Sequence, residues 1–132
     1  MSDYTIDYLQ YRLERARGAL KVAEIAAEAK EYNSCTNRLY YASFYAVNAL
    51  LMKYNYSSAK HTGVQAIFNK EFIKTGIVPK KYGILFNDLF ESRQECDYKD
   101  LFFIAAEDIE PLIPKVKEFI EFIAEKIMEN IN

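Results

Sequence analysis

Apolar residues recur at helical spacing almost from the first residue of this chain. Leu9, Leu13, Ala16, Leu20, Ala23 and Ala27 fall at alternating steps of four and three. That spacing keeps one face apolar and predicts a helix over residues 5–31. Arg12, Glu14, Arg15, Arg17, Lys21, Glu24 and Glu28 take its other faces. Tyr32-Asn33-Ser34 breaks the pattern, and Asn33 or Ser34 has the side chain of an N-cap for a second helix over about 34–54. In that helix Tyr40, Phe44, Val47 and Leu51 form an apolar stripe, widened by Leu50. Beside it runs a second stripe of Asn37, Tyr41, Phe44 and Asn48, whose amides and phenol each need a hydrogen-bond partner once buried.

A polar connection over 55–62 leads to a short helix at about 62–74, with Val64, Ile67, Phe68 and Phe72 facing inward. Gly76 and Pro79 bracket a loop. A further helix over about 80–96 sets Leu85, Leu89, Ser92 and Cys96 on one face, and Arg93, four residues past Leu89, leans toward the buried side. The last helix spans about 107–130 and turns Ile109, Leu112, Ile113, Val116, Phe119, Ile120, Ile123 and Ile127 inward. Pro111 suits a first turn, whereas Pro114 must bend this helix or displace its start. Residues 1–62 hold one glycine and no proline, while a sheet-rich chain needs turn residues every 8–12 positions. The expectation is all-α: an up-and-down four-helix bundle with one additional short helix, a single domain over residues 1–132.

Composition narrows the function classes. The 132 residues are 51% hydrophobic with a net charge of −2, which excludes a disordered chain. No apolar run reaches the length of a membrane span, and the acidic start lacks a signal peptide's basic and apolar regions. The expected location is cytoplasmic, away from membranes. Cys35 and Cys96 form no C-x-x-C pair, and with one histidine they are too few for a zinc site, so no metal or cofactor is expected. Charge is uneven. Residues 53–81 carry Lys53, Lys60, Lys70, Lys74, Lys80 and Lys81 against Glu71 alone, and the segments after them are acidic. This basic middle is either a solvated lysine-rich stretch or a surface for phosphates or an acidic partner.

Among single residues, Arg93 offers forked donors for a phosphate, or an intramolecular partner for Asp97 one turn on. Asn37 and Arg38 would share its cleft if their helices pack together, or else form a polar network that fixes helix register. His61, the one imidazole, is the best acid–base candidate, with a cap or surface contact as the alternative.

The segment Asn37-Arg38-Leu39-Tyr40-Tyr41-Ala42-Ser43-Phe44 resembles the HEPN superfamily, in its branch of small stand-alone bacterial and archaeal domains. Later elements agree in order: His61-Thr62-Gly63, then Phe68, Phe72 and Gly76, then Arg93 and Asp97-Tyr98. The resemblance implies a helical bundle, often a homodimer, encoded beside or fused to a minimal nucleotidyltransferase. Many members are metal-independent ribonucleases or toxins using an Arg-x(4–6)-His motif, in which the His serves as acid or base and the Arg steadies the phosphate. Here Tyr98 stands where that His would be, and a phenol with a pKa near 10 is a poor base at neutral pH. The resemblance also offers Tyr98 as a modification target, since partner nucleotidyltransferases in related systems adenylylate a tyrosine near this motif, with a packed aromatic as the equal alternative.

Three readings follow. The first is a HEPN-type module of a toxin–antitoxin-like pair, acting with a nucleotidyltransferase and contacting nucleotide or RNA through Asn37, Arg38, Tyr41, Arg93, Asp97 and Tyr98. The second is a metal-independent ribonuclease toxin whose catalytic candidates are Arg93 and His61. The third is a structural dimerisation module without a ligand.

Overall fold

Alanine decides how closely the first two helices approach. Helix α1 spans Asp3–Glu28 and α2 spans Tyr32–Lys53. Ala16, Ala19 and Ala23 of the first are buried, as are Ala42, Ala46 and Ala49 of the second. With so little side chain between them the two backbones pack along most of their length. In the computed structural model, which describes residues 3–129, the remaining helices are α3 (His61–Phe68), α4 (Lys80–Tyr98), α5 (Ala106–Ile109) and α6 (Leu112–Met128). The long helices α1, α2, α4 and α6 build the expected all-α bundle, and no strand occurs among the described residues. Helix α2 lies at its centre, touching α1, α4 and α6 as well as both short helices.

Aromatic rings fill the far end of the core. Phe68, Phe86 and Phe119 are fully buried, and Phe68 meets Phe86 edge-on at 5.5 Å and Phe119 at 6.0 Å. Tyr82 stacks on Phe119 at 5.0 Å and donates its hydroxyl to Glu118 at 2.8 Å. After Phe68 the chain widens into one π-helical stretch, Asn69–Ile73. This carries Phe72 into the core against Tyr54 and Tyr56, 5.5 and 6.0 Å away.

Three expectations are corrected. Neither Asn33 nor Ser34 caps α2, which starts after Glu31 with no side-chain cap. Asn33 instead spans the fold: its Nδ2 donates to the Phe102 carbonyl at 2.8 Å and its Oδ1 accepts from the Ile104 amide at 2.9 Å. The last helix is split, because Pro111 and Pro114 confine α6 to a start at Leu112, where both prolines sit at positions that need no amide donor. And α4 runs on to Tyr98, so Asp97 and Tyr98 belong to its last turn rather than to a loop.

Two outcomes test this packing. Phe119→Ala should cost about 3–5 kcal/mol, read as a lower urea midpoint at unchanged slope. Burial and the Glu110 charge push the Cys35 thiol up to about 11. A thiol reagent at pH 8 should therefore modify half-buried Cys96 first and reach Cys35 only on unfolding.

Candidate functional site

Tyr40 is fully buried on α2, and a phenol out of water needs a partner for its hydroxyl. It finds one in the first residue of α3, where His61 Nδ1 lies 2.8 Å away. Burial raises the Tyr40 pKa well above its ordinary value, so the phenol keeps its proton. With no other acceptor for it among the described residues, the O–H is satisfied by donating to Nδ1, the arrangement that puts the imidazole proton on Nε2. Burial, with help from the Arg93 charge, lowers the His61 pKa, so the ring is neutral at pH 7. The ring is also clamped flat, stacked on Phe44 at 4.2 Å with 8° between planes. His61 thus presents a fixed N–H donor, and Nε2 makes no hydrogen bond among the described residues.

Gly63 makes this placement possible. A Cβ there would overlap the Ser58 side chain, so α3 can start against the 58–60 turn only with glycine in its first turn.

Arg93 reaches the same tyrosine from α4. Its guanidinium is 4.7 Å from the Tyr40 ring centre and 5.7 Å from that of Tyr41. The residue is only 8% exposed. Its one ion pair among the described residues, to Asp97 one turn on, is long at 3.5 Å, and its Nε is buried without a partner. A buried guanidinium with so loose a carboxylate retains unspent donor capacity. On α2, Arg38 lies over the other tyrosine at 5.1 Å and donates from Nε and Nη2 to the Asn37 Oδ1, at 3.0 and 2.8 Å. That fixes the amide orientation and leaves the Asn37 Nδ2 for another acceptor. Asn37, Arg38 and Asp97 line a surface cleft of about 450 Å³ with Val22, Asn33 and Ser34.

Of the residues singled out from the sequence, the structure therefore brings together Asn37, Arg38, Tyr41, Arg93 and Asp97, and adds His61 to them. Tyr98 stands apart. It is 76% exposed and lines a separate shallow depression with Glu91, Gln94, Glu95 and Lys99. Two members were missed as site residues. Tyr40 and Phe44 read as core stripe, although a tyrosine at a core position is itself a sign that something must meet its hydroxyl. No group of acidic, histidine or cysteine side chains able to hold a metal occurs among the described residues, and none of their helices is long and apolar enough to cross a membrane.

Comparison with known proteins identifies the scaffold that carries this cluster. Residues 9–127 match the model of the HEPN domain. The chain belongs to the HEPN family. Among relatives of this HEPN domain, a UPF0332 protein of Thermotoga maritima is 40% identical over 123 residues, covering 93% of this chain and 92% of the relative. A Methanocaldococcus jannaschii protein named "Putative toxin MJ0142" is 34% identical over 107 residues, 81% of this chain and 73% of its own length. A UPF0332 protein of Archaeoglobus fulgidus is 28% identical over 119 residues, covering 85% of this chain and 94% of the relative.

The depressed His61 pKa has a consequence for stability. Between that depressed value and the ordinary one near 6.5, the unfolded chain binds a proton that the native HEPN domain refuses. This contribution is complete above the ordinary value and is lost as pH falls through it. Thermal melts from pH 7.5 to 5.5 should show a steeper decline for the native protein than for His61→Gln. Parallel declines would show that the native site does not disfavour the charged ring.

Proposed function

We propose that this HEPN domain is a toxin-like module that takes a phosphate of a nucleotide or RNA in the cleft between α2 and α4. It does so as one half of a two-protein system whose other half is a minimal nucleotidyltransferase. The observation that carries the reading is the Arg93 guanidinium, buried on the Tyr40 ring with a 3.5 Å carboxylate as its one anionic partner among the described residues. Around it the free functional groups are mostly donors: Arg38, the Asn37 amide nitrogen and the His61 Nε2–H. Asp97 is the single acceptor, and an incoming phosphate would displace it toward solvent. Such a set matches phosphate oxygens, which accept and never donate when ionised. Tyr41 lies between Arg38 and Arg93, 5.1 and 5.7 Å from their guanidiniums, and adds an aromatic ring beside the cleft. Tyr98, exposed at the end of the same helix, is open to the partner enzyme instead of to this ligand. The relative whose name contains the word toxin supports the two-protein setting, and a homodimer is the assembly proposed for it.

One observation favours ribonuclease action as a second reading: His61 and Arg93 meet on one ring although they lie far apart in sequence. The fixed tautomer limits this. With Nδ1 occupied by Tyr40, the imidazole offers a proton and has no free lone pair to act as base.

Titration with AMP and with a short oligoribonucleotide separates these readings. Binding should weaken at least tenfold in Arg93→Gln, the loss expected for a hydrogen bond to a charged group, with helicity retained. Unchanged affinity would overturn the cleft. Incubation with total RNA in EDTA should leave the RNA intact; cleavage abolished by both Arg93→Gln and His61→Gln would establish the second reading instead. Co-expression with the neighbouring gene product should yield a stable complex.

A further inference from the structure

Some cations on other faces of this protein are matched by carboxylates. Arg17 binds Glu121 through two nitrogens at 2.8 and 3.1 Å, and Lys81 binds Glu118 at 2.9 Å. The face shared by α1 and α2 is different. Arg12, Arg15 and Arg38 make no ion pair among the described residues, and each lies instead on a tyrosine. Arg12 is 5.1 Å from the Tyr8 ring, Arg15 is 4.4 Å from that of Tyr45, and Arg38 is 5.1 Å from that of Tyr41. The Arg15 Nη2 also donates to the Tyr45 hydroxyl at 3.1 Å, and the Arg12 Nε is buried without a partner.

By helical spacing Tyr8, Arg12 and Arg15 lie on one side of α1, so that these pairs trace one track. Tyr11 and Tyr8 lie 6.1 Å apart at one end, and Tyr45 and Tyr41 lie 5.8 Å apart at the other. From Tyr41 the track passes to Arg93 and His61, each within 6 Å of its ring. Tyr8 and Tyr11 are 38% and 55% exposed, too open for core residues; Tyr8 flanks the buried face of α1 and Tyr11 lies nearly opposite it. The acidic Asp7 and Glu14 fall by helical spacing on the far side of Tyr11, away from α2. At 1.5 Å per residue, the stretch of α1 from Tyr8 to Val22, where it borders the cleft, is about 21 Å long, room for on the order of four nucleotides.

We infer that this Tyr–Arg face is a track for single-stranded RNA, which it guides past Tyr45 and Tyr41 into the Arg93 cleft. The inference rests on the phosphate reading of that cleft and adds the polymer and its path. Guanidiniums without carboxylates supply contacts to backbone phosphates, and phenol faces supply stacking for bases of any sequence. A protein partner would need a row of acidic groups to satisfy the same arginines, and would leave the tyrosine faces without a matching planar group.

Fluorescence anisotropy with an end-labelled 12-nucleotide RNA of mixed sequence tests the track. The variants are Arg15→Gln with Tyr11→Ser, both exposed, and Arg93→Gln in parallel. The first pair should weaken binding roughly tenfold or more and lower the salt slope by about 0.7, one phosphate contact, while AMP affinity stays unchanged. RNA affinity and slope unaltered by the pair overturn the track. If AMP binding still depends on Arg93 in that case, the cleft reading survives alone. If neither ligand binds, both fall. Loss of self-association or of the partner complex in the pair, with RNA binding intact, also overturns the track and assigns the face to protein.

Discussion

One hydroxyl organises the site. Tyr40 is buried at the centre of the bundle, and its O–H has to be satisfied away from water. The bond to His61 does this at the start of α3 and sets the tautomer that satisfies both groups, while burial and the Arg93 charge disfavour the charged ring. The ring below that hydroxyl has a second duty. It supports the Arg93 guanidinium from one direction and lies parallel to Phe86 at 5.9 Å with 6° between planes. Core packing and ligand chemistry therefore meet in a single side chain, and neither can be altered there without the other. A phenylalanine at this position would preserve the stacking but free the imidazole to choose its own proton.

Most of the fold was legible because helix periodicity is a local signal. Leu9 through Ala27 on α1, and Val116 through Ile127 on α6, lie where the spacing places them. Proline chemistry foretold a displaced start for α6, and Arg93, one turn past Leu89, is buried as its position requires. What misled was a side chain with two possible uses. Asn33 has the form of a cap, but its amide can satisfy two backbone groups across the fold at once, and the tertiary use won. The site was half legible. Asn37, Arg38 and Tyr41 share one face of α2 at helical spacing, and Asp97 follows Arg93 by one turn. The meeting of His61 with Arg93 was not, since it depends on how α3 crosses α2 and no periodicity reports a crossing.

The protein also sorts its charges by task. Lys81 and Arg17 each tie α6 to a neighbouring helix through an exposed carboxylate, and such contacts contribute at most about 1 kcal/mol each. The arginines on aromatic rings behave differently. A guanidinium is weakly hydrated and tolerates the flank of a ring, so it can remain charged and partly desolvated with no carboxylate nearby. Held that way, it is oriented before any anion arrives, and less of the binding energy goes into ordering it.

The Asn33 amide has a consequence for how this scaffold can change length. Its two atoms grip the chain at Phe102 and Ile104, two residues apart on either side of Phe103. An extra residue between those two positions would carry one of them out of reach, and the start of α2 would lose its tie to the loop. The segment Lys99–Leu101 is held only by local bonds, from the Lys99 amide to the Glu95 carbonyl and from the Phe102 amide to the Lys99 carbonyl, and turns through a left-handed residue at Leu101. A change in length is accommodated more readily there, just before the grip, than inside it.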